Sequence, residues 1–344
     1  MPQRVALLQR AQAELERGDA TQALDDFERA AMMLHAGDAE LGLIHAAMQD
    51  GQYRRALAFC AHTAGEHTDD AEGGALYAWL LRIGGQDALA RQVIADTRAH
   101  APDDAVALAV ETAFTTAPPI AAGVLLMPPH RMAPWPITHE APPPPASARF
   151  VSNGVLVDDG ASALVPLHAL ERVTPARVWV RNGLGQTVAA ELDRDDTVSA
   201  ALGLARLKLR AALPLGASRQ AEGRPPFAGS PGYSMQFGEA SAPAWPMLTQ
   251  GFLGRPVGES GLRKVGFAST SGAAVFDAHG VLVGITLGGA DDAATWTPLP
   301  AGAPTRRAAP GASAARSLPG LVAPDEIYEL GLRRALQVLA DSPR

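Results

Sequence analysis

The sequence predicts a multidomain α plus all-β chain: an N-terminal α-helical solenoid of repeats, then a domain of many short strands. Three observations carry that reading. A glycine, an alanine and an apolar residue recur at fixed offsets through the first third. A Pro-rich stretch then interrupts the helical pattern. Beyond it, short apolar runs alternate with Gly, Asp and Asn turn signals to about residue 300. The 344 residues allow two or three domains.

Residues 1–116 are rich in Ala, Leu, Arg and Gln, with one proline after position 2, Pro102. RGDATQALDDFERA carries Gly18, Ala23 and Phe27. DGQYRRALAFCAHT carries Gly51, Ala56 and Cys60, and GGQDALARQVIADT carries Gly85, Ala90 and Ile94. The glycines are 33 residues apart (18 to 51) and then 34 (51 to 85). Glycine suits the turn between two helices, a small alanine lets them approach, and an apolar residue four later shares its face. DDAVALAVETAF, after the third unit, reads as a capping helix. This register resembles tetratricopeptide repeats, whose unit is about 34 residues in two helices. An unrelated helical bundle is the alternative. The resemblance implies a peptide or protein partner in the concave groove.

Residues 117–147, APPIAAGVLLMPPHRMAPWPITHEAPPPP and on, read as a Pro-rich spacer in which GVLLM and Trp135 pack on a neighbour. His130 and His139 are read as linker residues. From 148 to 300 the runs FVSNGVLVDDG, SALVPLHAL, ARVWVRNG, TVAAELDRD, GLARLKL, GYSMQFGE, MLTQGFLG, AAVFDAHG and VLVGITL read as strands of a sandwich or barrels. A loop over 301–320 follows. PDEIYELGLRRALQVLADS, within 321–344, reads as a closing amphipathic helix.

Several function classes are excluded on composition. A net charge of -7 with no basic block argues against nucleic acid. A single cysteine, Cys60, excludes an internal disulfide framework. No apolar run reaches a membrane span, and the N-terminus lacks a signal core, so a cytoplasmic protein is expected. Cys60, His62 and His67 fall in a repeat helix and its following turn and are read as structural. GGADD, near 288–292, is a turn with no phosphate-loop signature. No metal and no cofactor are expected.

The order of the β runs points further. FVSNGVLVDDGASALVPLHAL resembles the strand–turn–strand that carries the catalytic histidine of trypsin-like serine proteases, here His168. GSPGYSMQFGEASAPAWPMLTQGFLG resembles the opening of the second barrel in bacterial HtrA-like members. ASTSGAAVFDAHGVLVGI resembles the nucleophile loop, with Ser271 as nucleophile. The family's Gly-x-Ser-Gly-Gly-Pro is altered: Ser269 replaces the first glycine, and Ala273 and Ala274 replace the last two residues.

The resemblance covers roughly 148–300 and implies a two-barrel chymotrypsin-like domain. It implies His168 as general base and the N–H groups of Ser269 and Ser271 as oxyanion donors. The family's orienting aspartate falls at Gly203, in GLARLKL, which has no side chain to offer. Asp193, Asp195 and Asp196, just upstream, are candidates to swing in. Val265 would form the base of a small apolar pocket, and Thr286, Leu287 and Gly288 an edge strand for an extended substrate. Two functions stay open. One is a serine endopeptidase with a Ser–His dyad and low or conditional activity, guided by the repeats. The other is an inactive pseudoprotease acting as an interaction scaffold.

Overall fold

The computed structural model describes residues 2–67, 71–115, 144–171, 177–216, 226–258, 261–288, 294–300 and 320–341. The chain divides into two compact units, the helical one also taking in Ala242–Met247 from within the predicted β region. Almost all of the predicted 117–147 linker, with Trp135, His130 and His139, and most of the 301–320 loop lie outside the described residues. Among the described residues, no helix is long and apolar enough to cross a membrane.

The helical unit runs α1 (Pro2–Arg17), α2 (Ala20–Met33), α3 (Gly37–Asp50), α4 (Tyr53–Glu66), α5 (Ala71–Ile83), α6 (Asp87–His100) and α7 (Ala105–Thr115). Each helix packs on the next in chain order, and α7 packs on α5 and α6. The sequence repeat is a repeat of geometry. Gly18, Gly51 and Gly85 all take positive φ, at 84°, 83° and 79°, which a Cβ would disfavour. At each turn the glycine N–H returns to the carbonyl three residues back, and the next N–H to the carbonyl five back. Five residues beyond each glycine, Ala23, Ala56 and Ala90 are wholly buried. Phe27, Cys60 and Ile94 are buried one turn later.

The β unit holds two closed six-stranded antiparallel barrels. The first comprises β1 (Arg149–Val157), β2 (Ser162–Pro166), β3 (Arg177–Asn182), β4 (Thr187–Leu192), β5 (Leu204–Leu209) and β12 (Ala335–Asp341), in the order β1-β12-β3-β4-β5-β2. The second comprises β6 (Pro231–Gln236), β7 (Met247–Pro256), β8 (Arg263–Val265), β9 (Ala274–Asp277), β10 (Leu282–Thr286) and β11 (Thr295–Pro298), in the order β10-β11-β8-β7-β6-β9. Two short helices, α8 (Leu167–Glu171) and α9 (Thr197–Ala201), lie within the first barrel's sequence. The first core gathers Leu156, Val165, Val180, Leu207, Leu336 and Val338. The second gathers Leu253, Val275 and Trp296.

The C-terminal stretch corrects the expectation of one helix over 321–344. The helix α10 covers Pro324–Gly331 only, and Ala335–Asp341 is strand β12. This strand pairs antiparallel with β1 on one side and β3 on the other, sealing the first barrel. Every side chain from Ala335 to Ala340 is buried, Gln337 included. Leu332, Leu336 and Leu339 keep helical spacing in the sequence, but a gap between two strands overrides that local pattern. Gln337 has a partner there. Its Oε1 accepts from Nη1 of the buried Arg181 at 3.0 Å, and the same Nη1 reaches the Ser241 carbonyl at 2.9 Å. Burial without a carboxylate pushes the Arg181 guanidinium down to about 10.

Candidate active site

The second barrel brings Ser271 to the turn before β9. The Ser271 Oγ lies 3.3 Å from His168 Nε2, on α8 of the first barrel, and 3.3 Å from the Leu287 carbonyl oxygen. Both residues are half-buried. His168 therefore sits on a single helical turn after β2 rather than on the strand itself. Among the described residues, the imidazole has no side-chain hydrogen bond other than that to Ser271.

The loop around Ser271 is held from several sides. Thr286, wholly buried on β10, accepts the Ala273 N–H at its Oγ1 (2.8 Å) and donates to the Thr270 carbonyl (2.5 Å). Its backbone carbonyl takes the Gly272 N–H at 2.8 Å. The Thr270 N–H donates to Gln236 Oε1 at 2.7 Å. Asn153, on β1 of the first barrel and 2% exposed, completes the clamp. Its backbone N–H reaches the Ser271 carbonyl at 3.3 Å, and its Nδ2 reaches Thr270 Oγ1 at 2.9 Å. Its Oδ1 accepts the Phe237 N–H at 2.6 Å. Gly272 makes this approach possible: φ is 85°, and a Cβ would stand 1.9 Å from the Asn153 carbonyl oxygen.

The N–H groups of Ser269 and Ser271 donate to no described residue, while the Thr270 N–H between them is engaged. Both amides are therefore open to an acceptor from outside the described residues. Ser269 is not among the residues with positive φ, so its backbone stays in the region open to any L residue.

The His168 side is bare by comparison. Gly203 accepts the Leu167 N–H at 2.9 Å, which places it beside His168 in the backbone. Its φ is 74°, and a Cβ there would meet only Leu287 Cδ1, at 3.6 Å. The three upstream carboxylates do not substitute. Asp196 caps α9, accepting from Ser199 N at 2.9 Å and Ser199 Oγ at 2.6 Å, and pairs with Arg206. Asp193 pairs with Lys208 at 3.0 Å. Asp195 is exposed in the same turn, its N–H on Asp193 Oδ1 at 3.2 Å. Asp196 and Asp193 are thus engaged by α9 and by the cations of β5, Asp195 lies exposed, and none of the three is bonded to the imidazole. Among the described residues, no carboxylate is hydrogen-bonded or ion-paired to His168.

The substrate-pocket residues are also placed differently. Val265 packs on the Leu253–Val275–Trp296 cluster of the second core. Thr286 is no edge: it pairs with Trp296 on β11, and its N–H donates to Ala273 on the other side. The Leu287 N–H is spent on the Thr295 carbonyl at 2.8 Å. A closed barrel has no free edge along this strand. Gly288, at φ 71°, passes close to Ser271, where a Cβ would lie 3.2 Å from the Ser271 Cβ.

Asn153 and Gln236 were not singled out from the sequence. Asn153 had a signal: a buried polar residue in an otherwise apolar strand needs a partner. Gln236 ends a strand and offers no such cue.

Two six-stranded antiparallel barrels define the class as a chymotrypsin-like, trypsin-type fold. The MamO protease domain from Magnetospirillum magneticum, solved in its apo form, is one structure to which the chain is similar. The two share 17% identity over 45% of this chain and 87% of that one, with a TM-score of 0.35. No family model matches the chain, and no curated protein matches it.

Proposed function

We propose that the β unit is a serine-peptidase-type hydrolase of low or conditional activity, working through a Ser271–His168 dyad. The observation that carries this is the 3.3 Å separation of Ser271 Oγ and His168 Nε2. In this reading His168 takes the Ser271 proton as the hydroxyl attacks an acyl carbon, and returns it to the leaving group. The Ser269 and Ser271 amides stabilise the oxyanion. The helical repeats, which we read as tetratricopeptide-type, hold a peptide or protein segment that supplies the substrate or a regulator. A second reading, an inactive scaffold of the same fold, is favoured by the bare position at Gly203 and by the short reach from the Ser271 hydroxyl to the Leu287 carbonyl.

A fluorophosphonate probe, which reports an activated serine, separates the two. Wild type should label slowly, and Ser271→Ala and His168→Ala should each abolish labelling. Gly203→Asp restores a carboxylate beside the base. Such a group is worth up to about four orders of magnitude in rate in the trypsin case. The positive φ would cost about 1–2 kcal/mol of stability, less for Asp than for most residues. A rise in labelling on Gly203→Asp supports the dyad. A wild type and a folded Gly203→Asp variant that both fail to label would establish the scaffold reading instead.

A further inference from the structure

We propose that the helical unit binds one divalent transition-metal ion, zinc by its chemistry, between His35, Glu40, His62 and His67. The placement follows from the repeat. Antiparallel packing of α3 and α4 brings the start of one to the end of the other. His35 lies in the link before α3, and Glu40 in its first turn. His62 lies in the last turns of α4, and His67 is its C-cap residue. Each pair is five residues apart in sequence, and all four side chains converge.

The distances describe one focus. His35 Nε2 is 2.5 Å from Glu40 Oε1, His62 Nε2 is 3.4 Å, and His67 Nε2 is 3.6 Å. Nε2 of His35 and Nε2 of His62 are 2.9 Å apart. The ligand atoms of His35, Glu40 and His67 all lie within 4.8 Å of one another. Tetrahedral zinc holds nitrogen and oxygen at about 2.0–2.2 Å, which sets ligand–ligand edges of about 3.3 Å. The separations of Glu40 Oε1 from the three rings, 2.5–3.6 Å, and of His35 from His62, 2.9 Å, bracket that edge, while His62 lies outside the group whose atoms are all within 4.8 Å of one another. The His35 and His62 side chains, 56% and 46% exposed, have room to rotate onto it.

Protons alone do not satisfy this cluster. A neutral imidazole nitrogen either donates or accepts. If His35 Nε2 donates to Glu40, it has no lone pair left to accept from His62 Nε2, 2.9 Å away, and only a share of its one hydrogen to offer that nitrogen. If it accepts from His62, its contact with the carboxylate is repulsive. Protonating all three rings would gather three cations around one carboxylate. His67 Nε2 is buried and, among the described residues, has no hydrogen-bond partner. A cation satisfies every one of these atoms at once, because each then offers it a lone pair.

The surroundings fit. Glu40 is 4% exposed, and its second oxygen, Oε2, lies 2.7 Å from the Thr63 hydroxyl, which turns Oε1 toward the rings. Such an outer partner fixes the ligand that it holds. Three nitrogens and one carboxylate match zinc and its neighbours rather than magnesium or calcium, which take oxygen ligands. Cys60, grouped with His62 and His67 in the sequence, is not among the converging atoms. It is wholly buried, and burial pushes its thiol well above the usual range.

Cobalt(II) titration of the metal-stripped full chain tests the site without relying on activity. We expect visible d–d absorption typical of tetrahedral cobalt, saturating at one equivalent per chain and displaced by zinc but not by magnesium. His35→Ala and His67→Ala should each remove saturable binding, while His100→Ala, on α6, should keep it. Thr63→Val leaves the ligands in place and should weaken binding by about ten- to hundredfold. Far-UV circular dichroism checks that the variants fold, and Thr63→Val keeps the test decisive if the histidine variants do not. No saturable signal in wild type overturns the proposal. So does binding that survives His35→Ala with His67→Ala, or that Thr63→Val leaves unchanged.

Discussion

The two barrels contribute unequally to the Ser271–His168 pair. The second barrel, which carries Ser271, is built from strands consecutive in the sequence, β6 to β11. Its nucleophile loop is fixed by Thr286, Gln236 and Asn153 through side-chain hydrogen bonds of 2.5–3.1 Å. The first barrel, which carries His168, is sealed by a strand from more than a hundred residues further along. Among the described residues, Ser271 is the imidazole's sole side-chain hydrogen-bond partner. The Ser271 loop is over-determined and the His168 imidazole is under-determined. One side of a two-residue pair is thus held by several side chains while the other has a single side-chain partner among the described residues. Each prediction below removes one support and asks whether that asymmetry holds.

The largest effect should come from ending the chain after Arg334. This removes β12, with Leu336, Val338 and Leu339, all at most 1% exposed. Each such side chain is worth about 2 kcal/mol of burial, together a large share of the roughly 5–15 kcal/mol that holds a domain. It also opens unpaired edges on β1 and β3 and strips Arg181 of Gln337. We expect the first barrel to lose protection from hydrogen exchange throughout, with the second keeping part of its own. Full protection of β2 and β5 in the truncated chain would mean that the seal is dispensable.

Asn153→Ala should come next. It leaves the buried Phe237 N–H without its Asn153 acceptor, at about 1–3 kcal/mol for an unsatisfied group, and removes the Nδ2 bond to Thr270 Oγ1, which keeps Gln236 Oε1 at 3.1 Å. The loss should appear as a lower Tm and as faster exchange in β6. If the nucleophile loop is over-determined, Thr286 and Gln236 still hold Thr270, and probe labelling at Ser271 should change less than Tm does. Labelling abolished at unchanged Tm would show that Asn153 alone sets the loop.

The legible and illegible parts of the sequence divide along the same line. Runs with clear alternation or a continuous apolar core, such as FVSNGVLV and TVAAEL, are strands where expected, β1 and β4. The strands missed were β8, three residues and half exposed, β11, four residues ending in Pro298, and β12. The first two are too short to show a period, and the third is set by a gap between partners that no local pattern reveals. The helical array was legible because a turn glycine, a buried alanine and an apolar residue recur, and three copies share one backbone geometry. Ser271 and His168 were singled out through the order of the strands around them, and the fold brings them to 3.3 Å. The fate of Asp193 and Asp196 was not legible, since their partners include Lys208 and Arg206 on β5, a pairing that spacing within the turn does not encode, and Asp195 is simply exposed.

The smallest effect concerns acid, and it bears on the base side alone. Asp196 joins α9 to Arg206 on β5, and Arg206 also pairs with Asp158 in the β1–β2 turn. The segment from α9 to β5 contains Gly203, which holds Leu167 beside His168. Burial by itself would raise the Asp196 carboxyl, but its hydrogen bonds from Ser199 and Val198 and the charge of Lys208 outweigh that. They hold it below its ordinary 3.8. The sign follows from linkage. A folded-state value below the unfolded one stabilises the chain above pH 3.8, and that contribution is lost as pH falls through the folded value. Asp196→Ala removes the cap and the ion pair together, at about 1–2 kcal/mol near neutrality. The Tm difference between wild type and Asp196→Ala should therefore be full at about pH 6 and shrink as the carboxyl protonates below about pH 4. Exchange in α9 and β5 should quicken in acid before exchange in β9 and β10. A Tm difference that stayed constant down to about pH 2 would mean that Asp196 acts only as a neutral turn residue. The base side would then rest on Leu167 and Gly203 backbone pairing alone.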